Sequence, residues 1–90
     1  DEEHSIPAIA ASLEQIEQVL LTMDAANIVE AGNNYLYAEF TSRLMGYVDD
    51  VEFLYDPVRG VSHVRSASRL GHSDLGANRK RIESIREKLK

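Results

Sequence analysis

The sequence predicts an α+β fold, a two-layer sandwich of helix, four-stranded antiparallel meander and helix. Two amphipathic segments frame a middle region in which short β-rich runs alternate with turn residues. Neither framing segment can hide its apolar stripe alone. One face of a sheet supplies the missing surface, so both helices are expected on the same sheet face.

In the first segment Ile9, Leu13, Ile16 and Leu20 recur at spacings of four, three and four. Pro7, or Ser12 with Gln15 in a capping-box spacing, can start this helix, and its end is expected near 24–27. Ile28 to Glu30 and Tyr35 to Ser42 flank Gly32-Asn33-Asn34, which predicts a hairpin because Asn and Gly tolerate positive φ. Arg43 to Asp50 should form a connection bent at Gly46. Val51 to Asp56 and Val61 to Ser66 flank Pro57-Val58-Arg59-Gly60, a second hairpin with a four-residue loop. Pairing Asp56 with Val61 then sets Glu52 opposite Arg65 and Phe53 opposite Val64. A slip by one would oppose Val51 to Arg65 instead. The last helix, from about Ser73 to Lys90, carries Leu75, Ile82, Ile85 and Leu89. Ser73 or Asp74 would cap it, and Arg86, Lys88 and Lys90 lie near its negative pole.

Ninety residues make one domain, residues 1–90, with a modest core. No stretch approaches the roughly 20 apolar residues of a membrane span. The absence of cysteine removes thiolate ligands, a cysteine nucleophile and disulfides. Charge is uneven along the chain. Residues 1–17 hold five acids and no Lys or Arg, residues 18–78 eight acids against four bases, and residues 79–90 six bases against two acids. An overall charge of -5 opposes phosphate-backbone binding, so nucleic acid is not an expected partner.

The least ordinary stretch is Val64 to Arg81, VRSASRLGHSDLGANRKR, which is poor in large aliphatic residues and dense in Arg, Ser, Gly and Asn. Together with GYVDDVEF at 46–53 it resembles the DUF1499 family, whose members carry an RSASR-G-SD-G-NR-R run after a GYVDDVEF-like strand. The resemblance runs from His4 to the end. It implies no established activity. Similar domains occur in bacterial envelope proteins and in plastid proteins of algae and plants. The resemblance therefore implies a plastid, thylakoid-associated setting for a eukaryotic chain and an envelope or periplasmic one for a bacterial chain. Relatives usually carry a CVSSQ-like segment before the DEEH stretch, so a targeting or anchoring segment upstream of Asp1 is an expectation.

Arg65, Ser66, Ser68, Arg69, Asn78 and Arg79 form the candidate anion or partner contact. Arginines and hydroxyls beside a helix start suit phosphate, sulfate or carboxylate. The competing reading, ranked first, makes this stretch a structural network in which Arg65 and Arg69 pair with Asp49, Asp50 or Glu52. Those three acids could also hold a hard cation, but alternation lets at most one of Asp49 and Asp50 share a face with Glu52. No metal and no cofactor is expected. His4, His63 and His72 are too widely spaced to form a ligand pair, and no Gly-x-Ser-x-Gly elbow presents a serine. No catalytic residue is therefore assigned. Tyr35 and Tyr37 alternate out of phase with Phe40, which divides them between solvent face and core rather than into an RNA platform. The expected function is a non-enzymatic interaction domain, an accessory or assembly subunit with protein partners in a larger membrane-associated complex. Membrane proximity would come through a partner or through residues before Asp1. The alternative is a small enzyme or binding protein for an anionic small molecule.

Overall fold

The computed structural model describes residues 6–42, 46–68 and 75–90, except for the side chains of 68 and 75–79. Its elements are α1 (Leu13–Leu21), β1 (Ala26–Ala31), β2 (Tyr35–Thr41), β3 (Val48–Asp56), β4 (Val61–Ser68) and α2 (Leu75–Lys88). The four strands form an antiparallel meander in the order β1-β2-β3-β4.

The start of α1 is settled by its capping box. The Ser12 hydroxyl accepts from the Gln15 amide at 3.2 Å, and the Gln15 side chain accepts from the Ser12 amide at 2.9 Å. The helix ends several residues before the expected 24–27. Thr22 caps it and donates its hydroxyl to the Val19 carbonyl at 2.7 Å, and the chain turns directly into β1. The second hairpin has the expected register, with Asp56 opposite Val61, Phe53 opposite Val64 and Glu52 opposite Arg65. Its loop is held by Asp56, whose carboxylate accepts from the Val58 and Arg59 amides at 3.0 and 3.3 Å. Gly60 closes the loop with φ 68°, a conformation a side chain would strain.

Alternation decides which sheet face is covered. Leu36, Ala38 and Phe40 of β2 and Val51 and Phe53 of β3 point to one side. There they meet Leu13, Ile16, Val19 and Leu20 of α1 and Ile82 and Ile85 of α2 in one buried cluster. Both helices thus share a single sheet face. Leu89 packs half-buried against the same cluster, whereas the side chain of Leu75 lies outside the described residues.

The two outer strands differ in how their edges are managed. β1 carries an irregularity between Ile28 and Glu30 that breaks its ladder. The β4 edge is covered near its start by the N-terminal segment. Ile9 and Ser62 exchange backbone hydrogen bonds of 2.9 and 2.7 Å. Ser62 is fully buried, and its hydroxyl donates to the Ala11 carbonyl at 2.8 Å. Arg86 reaches back from α2 to donate to the Ala8 carbonyl at 3.1 Å and to the Pro7 carbonyl. Its Nε lies 3.2 Å from a Glu83 carboxylate oxygen without aligned hydrogen-bond geometry. The Arg86 side chain is therefore a clasp on the first described residues as well as a charge near the helix end.

Candidate functional site: the helix-free face of the sheet

The residues that alternate with the core positions form the other side of the sheet, which among the described residues carries no helix. Three rows cross it: Glu39 opposite Asp50; Tyr37 opposite Glu52, itself opposite Arg65; and Tyr35 opposite Leu54, itself opposite His63. On the β1 side Glu30 stands opposite Tyr37.

Two diagonal contacts between β2 and β3 organise these rows. The Tyr35 hydroxyl donates to Glu52 Oε2 at 2.5 Å, and the Tyr37 hydroxyl donates to Asp50 Oδ1. Both are hydrogen bonds to an ionised acceptor, the stronger kind. They repeat because Tyr35 and Tyr37, like Asp50 and Glu52, are two residues apart on paired strands. The bond to Glu52 pushes the Tyr35 phenol up to about 12, with partial burial and the nearby negative charge of Glu52 and Glu30 adding to the shift. Tyr35 therefore stays a neutral donor throughout the physiological range. Across the sheet, His63 Nε2 lies 3.3 Å from Asp56 Oδ2. That hydrogen bond, followed by those from the Arg59 and Val58 amides, lowers the Asp56 carboxyl.

Leu54 is the anomaly of this face. It sits on an interior strand yet is 55 % exposed. Around it Tyr35, Glu52, His63, Val64 and Arg65 line an open depression of about 280 Å³. Glu52 stands opposite Arg65 but gives its carboxylate to Tyr35. Among the described residues the Arg65 guanidinium has no hydrogen-bond or ion-pair partner.

The sequence-derived site residues do not gather in one place. Arg65 is exposed on the helix-free face, while Ser66, the next residue, is half-buried on the helix side. Ser68 ends β4 and its side chain is outside the described residues, as is the whole of Arg69. Asn78 and Arg79 lie on α2, whose packing is against the opposite sheet face from Arg65, and their side chains are likewise outside the described residues. Among the acids, Asp50 and Glu52 share the helix-free face and Asp49 points to the helices. The arginine that meets Asp49 is Arg81 of α2, at 3.0 Å, with the two side chains only 16 % and 18 % exposed. The Arg81 guanidinium also lies 4.8 Å from the Phe40 ring centre. Among the described residues no group of three His, Asp or Glu is placed to hold a metal ion, and no helix is long and apolar enough to cross a membrane.

Sequence reasoning passed over Arg81, Ser62 and the tyrosine–carboxylate diagonals. The diagonals had a signal: Tyr-x-Tyr and Asp-x-Glu share period two on strands joined by a short connection. Arg81 had a weaker one, since it lies one turn before Ile85 at the margin of the apolar stripe. Nothing local in the sequence marks Ser62, whose partners lie 51 residues and more away.

A family model described as a protein of unknown function, DUF1499, matches residues 1–89, essentially the whole chain. The chain belongs to the DUF1499 family. The GYVDDVEF segment of this DUF1499 domain covers the first part of β3, and with it Asp50 and Glu52 of the helix-free face, while Arg65 to Ser68 of the RSASR run end β4. No curated protein and no solved structure matches the chain.

Proposed function

We propose that this DUF1499 domain is a non-catalytic interaction module, an accessory or assembly subunit that docks a partner protein on the helix-free face of its sheet. The observation that carries the reading is Leu54, an exposed aliphatic residue on an interior strand, ringed by Tyr35, His63 and Arg65. Apolar anchors beside tyrosine and arginine, with a polar surround, are the make-up of protein-interface hot spots. The family resemblance extends the proposal to a membrane-associated complex, in plastids or in the bacterial envelope, with contact to the membrane made through the partner.

The experiment is isolation of the tagged domain from its native source beside a Leu54→Ser variant and a Lys88→Glu variant on α2. Loss of the same co-isolated protein from Leu54→Ser only, with both variants as stable as the parent, supports the reading. Equal recovery with all three proteins overturns it. The competing anion-binding reading has its own mark, a rise in the parent's unfolding midpoint with phosphate that Arg65→Ala abolishes.

A further inference from the structure

Arg65 and Glu52 stand directly opposite each other on paired strands, carry opposite charges, and do not pair. Tyr35 is the reason. Its hydroxyl donates to Glu52 Oε2 at 2.5 Å, and a bond to an ionised acceptor outweighs what an exposed surface ion pair contributes. The neighbours of Arg65 along β4 on this face offer it no acceptor. His63 lies against Asp56 Oδ2 at 3.3 Å, and Ala67 has no polar side chain. The exposed Arg65 side chain therefore borders the depression that Leu54 lines, and among the described residues nothing occupies its planar fork.

Resting on the reading that this face docks a protein, we propose that the docked element presents a single carboxylate beside an apolar residue. The apolar side chain seats against Leu54 and the Tyr35 ring, and the carboxylate takes the Arg65 fork. Bidentate pairing with a guanidinium fixes where along the strand the element lies. The apolar contact is needed as well as the charge. The domain carries -5, so a run of acids is repelled at a distance, and one carboxylate gains from Arg65 only once it is seated within a Debye length. Tyr35 is a positioning residue in this arrangement: by holding Glu52 it keeps the guanidinium available to the partner.

The test titrates the ¹⁵N-labelled domain with a short peptide of leucine, threonine and serine carrying one central glutamate, and with the same peptide carrying glutamine or arginine there. The glutamate peptide should shift the amides of Tyr35, Glu52, Leu54 and residues 63–65 and leave those of Glu14 and Glu17 on α1 in place. Arg65→Ala should raise its Kd about tenfold, the size of one lost charge-assisted contact, and bring it level with the glutamine peptide. Tyr35→Phe releases Glu52 toward Arg65 and should raise Kd about threefold, as a competing exposed ion pair implies. Adding Glu52→Gln to Tyr35→Phe should restore at least the parental affinity, a rescue that a merely structural tyrosine would not show. No shift with the glutamate peptide, equal binding of the glutamine peptide, tighter binding of the arginine peptide, or full affinity in Arg65→Ala would each overturn the proposal, and an absent rescue would remove Tyr35 from it. Acetate giving the same shifts at the same concentration would mark a small-anion site and overturn it too. Co-isolation of the native partner separates the two levels. If Leu54→Ser loses it and Arg65→Ala retains it, the docking face stands and the carboxylate does not. If both variants retain it, the docking face itself is refuted.

Discussion

Replacing Arg81 by alanine should destabilise the domain by about 2–4 kcal/mol, more than any surface ion pair is worth. The magnitude follows from where the pair sits. Exposed pairs contribute about 0–1 kcal/mol, and breaking a fully buried one costs roughly 3–5 kcal/mol because a charge is left without a partner. Arg81 and Asp49 are more than four-fifths buried and 3.0 Å apart, so they lie toward the upper case. The guanidinium over Phe40 adds roughly 1 kcal/mol. A 90-residue domain has a total stability of roughly 5–13 kcal/mol, so the loss is a large share of it. Urea unfolding of the parent, Arg81→Ala, Asp49→Ala and the double variant gives a cycle in which the coupling energy should be about 1–3 kcal/mol. Strict additivity, within about 0.3 kcal/mol, would refute the view that this pair pins α2 to the end of the sheet. Arg81→Lys should fall between parent and alanine, since it keeps the charge and loses the planar fork.

Ile16→Ala and Ile85→Ala, each removing a fully buried side chain from the shared core, should cost about 2–4 kcal/mol in the same assay, and losses below about 0.5 kcal/mol at both would place the helices elsewhere. Ser62→Ala leaves the Ala11 carbonyl without its buried donor and should cost roughly 1–3 kcal/mol, with faster hydrogen exchange at the Ile9 amide as its specific sign. Ultraviolet titration should show a tyrosine ionising near pH 12 that is absent in Tyr35→Phe and returned toward the ordinary 10.0 in Glu52→Gln. Because the folded value is raised, the stability linked to Tyr35 is complete below pH 10 and lost as pH rises to about 12. The Asp56 carboxyl is lowered, so its contribution is present above the ordinary value of 3.8 and lost as pH falls through the depressed folded value; Asp56→Asn should flatten that acid limb.

The elements were legible wherever period and punctuation agreed. Ile16 and Ile85 announce themselves by helical spacing, Pro57 to Gly60 fixes the second hairpin, and that loop length carries Glu52 to Arg65. The face assignment of Tyr35 and Tyr37 against Phe40 follows from alternation alone. What the sequence does not display is competition between partners. Glu52 has Arg65 directly opposite and Tyr35 on the diagonal, and side-chain reach gives it to the tyrosine. Asp49 could have been assigned to Arg65 on proximity along paired strands. The pleat instead turns it toward the helices, where Arg81 arrives from 32 residues away. Contacts made across layers depend on how helices cross the sheet, and no window of sequence contains that angle. Arg69, ranked first for a structural role, lies outside the described residues.

The Arg86 clasp has a kinetic consequence. Its bond to the Pro7 carbonyl closes a separation of 79 residues, while the two hairpins close loops of only a few. Chain entropy makes such a contact profitable only after the intervening structure exists, so the clasp joins last as the domain folds. By the same logic it is the first to let go. The N-terminal segment peels from the β4 edge at a free-energy cost below that of global unfolding, and the sheet and its helix-free face outlast the departure.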